Sequence, residues 1–129
     1  MPRTVYVTKA QRAEWIRLVR ALKSGKYLHG VGKLCRLFNG EMRYCCLGVQ
    51  ADVWGAEWYR AIGGSFRPLG FSSDLNYLYA SVWLEKMGSH PKLLQSTLGQ
   101  MNDLSTDGFN PVIKHIVKTL RITRRELAA

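Results

Sequence analysis

The dipeptide Asn39-Gly40 constrains this chain more than any other local feature, because it lies between two strand-like runs in residues 33–46, Lys-Leu-Cys-Arg-Leu-Phe-Asn-Gly-Glu-Met-Arg-Tyr-Cys-Cys. Asn-Gly accommodates the two positive φ values of a two-residue type I′ turn, and such a turn decides which residues lie opposite each other. Phe38 then faces Glu41, Leu37 faces Met42, Arg36 faces Arg43, Cys35 faces Tyr44 and Leu34 faces Cys45. Side-chain alternation puts Cys35, Leu37, Met42, Tyr44 and Cys46 on one apolar face, expected against a core. Arg36 and Arg43 stand across from one another on the other face. Like charges so placed destabilise a ladder unless something neutralises them, and a phosphate does so through bidentate contacts. Glu41, diagonal to Arg36, is an alternative neutraliser, and both side chains splaying into water is another.

Helical signals surround this hairpin. Thr8 with Gln11 has the spacing of a capping box, and Trp15, Leu18, Val19 and Leu22 follow at helical intervals until Gly25, which predicts a helix over 9–23. Its other faces carry Lys9, Arg12, Arg17, Arg20 and Lys23, either a solvated surface or one for phosphates. Residues 47–54 predict a short helix ending at Gly55, and 55–79 an irregular, aromatic-rich stretch punctuated by Gly63-Gly64, Pro68-Leu69-Gly70 and Ser72-Ser73. A helix over 80–87 closes at Gly88. Pro91 begins another that aligns Leu94, Leu98, Met101 and Leu104, and Asn110-Pro111 opens a last one running to about residue 121. The expectation is an α+β, mainly helical single domain, with a two- or three-stranded antiparallel hairpin or sheet packed on about four helices. A chain of 129 residues suits one domain. A basic tail is expected from about residue 122, with its mobility left open.

Charge narrows the partners. Residues 1–48 carry ten basic and two acidic side chains, 49–110 four and six, and 111–129 five and one, within a net charge of +10. Such segregation favours an anionic partner, a phosphate-bearing small ligand or nucleic acid, and no membrane partner is expected. No run reaches the ~20 apolar residues of a membrane span, and Met1-Pro2-Arg3 leads into a capped helix instead of an apolar signal segment, so a soluble chain in the cytoplasm is expected. Cys35, Cys45 and Cys46 fit neither a disulfide framework nor zinc spacing, and His29, His90 and His115 are scattered; buried reduced thiols and no metal are expected.

Residues 24–33, Ser-Gly-Lys-Tyr-Leu-His-Gly-Val-Gly-Lys, join the first helix to the hairpin. Their glycines permit backbone amides to point outward as a phosphate cradle, with Lys26, His29 and Lys33 around them, although neither a Walker loop nor a dinucleotide fingerprint is present. An ordinary glycine-rich turn is the alternative. Conventional catalytic motifs are absent. A metal-independent phosphodiesterase with His29 as acid/base stays open, while Asn102-Asp103 fits a cap or turn and Cys45-Cys46 fits structural sulfur better than a thiolate favoured by Arg43.

Ala21-Leu22-Lys23-Ser24-Gly25-Lys26-Tyr27, then Gly30, Gly32-Lys33-Leu34 and Tyr44-Cys45-Cys46-Leu47-Gly48-Val49, resemble a group of small bacteriophage and prophage proteins with an A-L-x-S-G-K-Y, then Y-C-C-L-G-V pattern. Leu98 to Asp103 with Gly108-Phe109 resemble the group's L-N-D-x-x-G-x-x-F segment, with Met101 where leucine is usual. The resemblance implies an origin and no catalytic residue: a phage-encoded accessory protein made in a bacterial host cytoplasm. Such proteins resemble host-defence antagonists that sequester nucleotide signals, or basic proteins acting on nucleic acid. For the first, Lys26, His29, Lys33, Arg36 and Arg43 supply cationic donors, and Tyr27, Trp58 or Tyr59 an aromatic to stack on a base. For the second, Arg12, Arg17, Arg20 and the tail 121–125 supply a stripe. The nucleotide reading is preferred because glycines, cations and aromatics combine in one short region. No cofactor is implied. Homo-oligomerisation is left open, since 129 residues leave limited room for an enclosed pocket.

Overall fold

The computed structural model describes residues 5–74 and 76–128; Met1, Pro2 and Arg3, which the sequence reading invoked, lie outside them. Helix α1, Lys9–Lys23, opens on the capping box: Gln11 N donates to Thr8 Oγ1 at 3.2 Å and Thr8 N donates back to Gln11 Oε1 at 2.8 Å. Two of the helix's orphan amides are thereby satisfied. Its buried stripe, Trp15, Leu18, Val19 and Leu22, is the one the periodicity marks. Trp15 sets edge-on to Trp83 at 5.5 Å and donates its indole N–H to the Met87 carbonyl at 2.7 Å, which ties α1 to α3, Ala80–Met87. Val112 and Ile116 of α5, Asn110–Leu120, complete the same core.

The hairpin forms in the expected register. Strand β2, Cys35–Phe38, pairs antiparallel with β3, Glu41–Tyr44, with Cys35 opposite Tyr44, Arg36 opposite Arg43, Leu37 opposite Met42 and Phe38 opposite Glu41. Asn39 and Gly40 have φ of 50° and 79°, as a type I′ turn requires. The apolar face does not bury evenly: Cys35 is inaccessible to solvent while Leu37 is 37% exposed, because the turn end projects past the helices. Cys46 leaves the ladder to begin α2, Cys46–Val53, which Cys45 caps by accepting the Gly48 amide on its sulfur at 3.4 Å. A Cβ at Gly48 would stand 1.8 Å from the Leu34 carbonyl oxygen, so the close approach of α2 to the root of β2 demands glycine there.

The sheet is larger than a hairpin. Leu28–His29 forms β1, parallel to β3, and within the stretch expected to be irregular Trp58–Arg60 and Ser65–Pro68 form β4 and β5, giving the order β1-β3-β2-β5-β4. Strands of three or four residues are too short for alternation to stand out, and Pro68 and the paired glycines between them read as turn chemistry. An α+β single domain is the result. Helix α4, Gln95–Leu104, starts four residues after Pro91 because 91–94 form a turn instead of its first turn. Past residue 122 the chain folds as α6, Arg124–Ala128, tied to α1 where Glu126 accepts Arg12 Nε at 3.0 Å and Nη2 at 2.9 Å. No described helix is long and apolar enough to cross a membrane.

Candidate functional site

Four of the eight residues singled out from the sequence line one cleft of about 220 Å³: His29, Lys33, Arg36 and Arg43, together with Gly30, Val31 and Phe38. The hairpin register carries Arg36 and Arg43 onto one side of β2 and β3, and the connector 30–33 brings Lys33 and the His29 backbone alongside. Gly30 is required for this closeness, since a Cβ there would meet Arg43 Cβ at 2.8 Å.

Arg43 Nη1 donates to the His29 carbonyl at 3.1 Å, which orients the guanidinium; its Nε is buried and meets no acceptor among the described residues. Glu41 approaches Arg43, and not Arg36, at 4.0 Å from a half-exposed position, too far and too wet to neutralise the pair. Arg36 and Lys33 make no side-chain hydrogen bond or ion pair among the described residues. The cleft therefore gathers like charges, with Arg36 exposed and Lys33 and Arg43 half-buried, and leaves their donors open. Alternation places Phe38, Ser65, Arg67 and Tyr59 on this same sheet face; Phe38 and Tyr59 are exposed, and Arg67 Nε is also buried without an acceptor. Phe38 was legible from the turn register. Arg67 was not, because its strand was not.

The connector does not present a cradle of outward amides. Gly30 N donates to the Tyr44 carbonyl at 2.8 Å and Gly32 N to Asp103 Oδ1 at 3.0 Å, so both turn inward. Asn102, wholly buried, pins this connector. Its Nδ2 donates to the Gly30 carbonyl at 2.9 Å and to Asp103 Oδ1 at 3.1 Å, while its Oδ1 accepts the Cys46 amide at 3.1 Å. His29 Nε2 donates to the Asn102 carbonyl at 2.9 Å, and the ring sits edge-on to Phe109 at 5.1 Å. Asn102-Asp103, expected as a cap or turn, is thus the fastening that sets the glycine connector against α2 and α4. Only the pairing of two polar residues inside an apolar helix pattern hinted at it.

The other candidates lie elsewhere. Tyr27 donates its hydroxyl to Asp52 Oδ2 and Trp58 its indole N–H to Asp52 Oδ1 at 3.0 Å, with Tyr44 edge-on to both rings at 5.1 and 5.9 Å. Both rings are tied at their edges to a carboxylate on α2, and neither lines the cationic cleft. Lys26 lies over the Tyr27 ring at 5.5 Å, outside that cleft. Tyr59 occupies the far edge strand, 44% exposed. Burial pushes Tyr44 and Cys35 up to about 12, and burial with the Asp52 carboxylate raises Tyr27 further.

The three cysteines are free and buried. Burial lifts Cys45 to about 12, outweighing the amides at the start of α2, and lifts Cys46 well above its ordinary value. They act as packing sulfur, without thiolate character. Among the described residues no three His, Cys, Asp or Glu side chains gather as a metal site.

Fold and cleft together define an α+β domain with a cationic sheet face. A scan against family models, a search of curated proteins and a search of solved structures each found no match.

Proposed function

We propose that this chain binds a phosphate-bearing nucleotide on its cationic sheet face and acts as a phage accessory protein, sequestering a nucleotide immune signal in the cytoplasm of a bacterial host. The observation that carries the reading is the opposed Arg36/Arg43 pair, with Lys33 beside it and Arg43 Nε left without an acceptor. A stable fold gains nothing from uncompensated like charges, whereas a bound phosphate satisfies them together. The cleft, at about 220 Å³, is smaller than the ~300–1,000 Å³ of sites that enclose a drug-sized ligand, so it suits a phosphate and its immediate attachments.

The test is equilibrium binding of a panel of cyclic and linear nucleotides, followed by heat denaturation and recovery of the ligand. Intact ligand, released only from protein retaining Arg36 and Arg43, supports sequestration. Degraded ligand supports the phosphodiesterase alternative, in which His29 would act through Nδ1, because Nε2 is held by the Asn102 carbonyl. Absence of nucleotide binding overturns the reading.

Exposed Phe38 and Tyr59 on the same face favour a second reading, a single-stranded DNA or RNA laid across the sheet with bases on the two rings. The salt dependence separates them: nucleic-acid affinity falls linearly on a log–log plot with a slope near the number of phosphates engaged, while a small ligand held by two arginines loses far less.

A further inference from the structure

Across the connector from the cationic cleft lies a second one of about 430 Å³, and Lys33 lines both. Cys45 and Leu47, at the start of α2, line it with Gln100 and Asp103 of α4 and with Tyr77 from the segment before α3. Gly99 leaves its wall bare: a Cβ there would meet only Tyr77 Cε1 at 3.9 Å and Leu47 Cδ1 at 4.0 Å, both residues of the lining. A longer side chain at 99 would grow into the cleft between them.

The polar groups here differ from those of the cationic cleft. Asp103 Oδ1 accepts the Gly32 and Asn102 N–H groups, and Oδ2 meets no donor among the described residues. A carboxylate only accepts hydrogen bonds. It therefore suits a base edge that only donates. Guanine presents adjacent imino and amino N–H groups, whereas adenine sets a ring-nitrogen acceptor beside its amino group, which a carboxylate repels. Tyr77, 42% exposed, offers a ring face for stacking, and its backbone is held by Asp74 and Ser72.

We infer that this second cleft is a nucleoside subsite for a guanine base, belonging to the same ligand whose phosphate lies at Arg36 and Arg43, with Lys33 between the two halves. The inference rests on the nucleotide reading above and adds the base. The size agrees, since about 430 Å³ falls in the range of sites that enclose a small organic ligand.

Calorimetric titration of guanosine monophosphate, adenosine monophosphate, guanosine and inorganic phosphate into the intact chain tests both halves separately. The guanine nucleotide is expected to bind at least tenfold more tightly than either the adenine nucleotide or phosphate. Gly99→Leu is expected to reduce the guanine nucleotide to the affinity of phosphate and leave phosphate itself unchanged. Tyr77→Ala, at an exposed side chain, is expected to weaken the nucleotide roughly tenfold, the ordinary loss of a stacking partner, and gives the same answer should Gly99→Leu fail to fold. Equal affinity for the two nucleotides, or nucleotide affinity untouched by both variants, overturns the subsite and leaves the phosphate reading standing. Guanosine that binds while phosphate does not keeps the subsite and overturns the phosphate reading. Binding of none of the four overturns both.

Discussion

Arg12, Arg17 and Arg20 on α1 match Lys33, Arg36 and Arg43 on the connector and hairpin in number and charge, but the two groups direct their donors differently. Arg12 holds Glu126 with two nitrogens and the Leu120 and Arg121 carbonyls at 2.6 and 3.3 Å. Arg20 donates to the carbonyls of Glu126 and Leu127, and Arg17 to that of Val53 at 2.8 Å with Glu14 at 3.7 Å. These arginines serve as internal clamps that dock α6 and the end of α2 on α1. On the sheet face, among the described residues, only Arg43 has an internal acceptor that it contacts closely, the His29 carbonyl. Basic composition is therefore a poor guide to a binding surface; donor capacity left without an internal acceptor is the better one. Of the stripe 12–17–20, offered by the sequence for nucleic acid, Arg12 and Arg20 are held by the protein's own C-terminal segment and Arg17 by the end of α2.

The contrast can be broken by substitution, and the largest effect is expected at the fastening both clefts share. Asn102→Ala orphans the Cys46 amide and the Gly30 carbonyl, and should cost on the order of 3 kcal/mol in urea unfolding. It should also abolish ligand binding at temperatures where the fold survives. Unchanged stability would mean that water replaces the side chain and that the connector is not pinned through it.

Next in size is the ligand effect on the sheet face. Arg36→Ala or Arg43→Ala should weaken phosphate binding by roughly tenfold or more, from the loss of a charge-assisted contact worth about 1.5–3 kcal/mol. At the same time Arg36→Ala should raise the stability of the unliganded chain by roughly 0.2–1 kcal/mol, by removing a like-charge pair. A variant that gains stability while losing ligand marks a position kept for binding. Loss of both would assign the pair a structural role.

Arg12→Ala should do the opposite: lower the melting temperature by a smaller amount, release 124–128 to faster amide exchange, and leave phosphate affinity unchanged. A parallel loss of phosphate affinity would erase the distinction between the two surfaces. The smallest effect is expected from pH. The Arg12 guanidinium, ahead of the Thr123 amide, pulls Glu126 down from 4.5 to about 2. A carboxylate with a depressed folded value contributes its stabilisation above 4.5 and loses it as pH falls through about 2. Amide protection in α6 should therefore persist through mildly acidic conditions and disappear only near pH 2. Loss already near pH 4.5 would show that the pair contributes nothing to docking.

How much of this was legible in sequence depends on how local each signal is. The capping box at Thr8 and the Asn39-Gly40 turn involve neighbours within four residues, and both α1 and the hairpin register follow them residue for residue. The cationic cleft was legible for the same reason, as register alone places Arg36 against Arg43. Tyr27 and Trp58 lie outside the cationic cleft because both bond to Asp52, for Tyr27 a partner 25 residues away that no spacing rule supplies. For the glycine connector conformational freedom was visible and left both a cradle and an ordinary turn open; the acceptors that turn the Gly30 and Gly32 amides inward, Tyr44 O and Asp103, come from β3 and α4. Strands β4 and β5 were missed because their pairing with β2 and with each other, not their own composition, makes them strands.

The most direct test of the central claim is a side-chain nitrogen–proton correlation spectrum of the arginine Nε groups, recorded while inorganic phosphate is added. The account predicts that Arg36 and Arg43 shift and saturate together, with Arg12, Arg17 and Arg20 fixed. Equal, unsaturable shifts across all five arginines would contradict it.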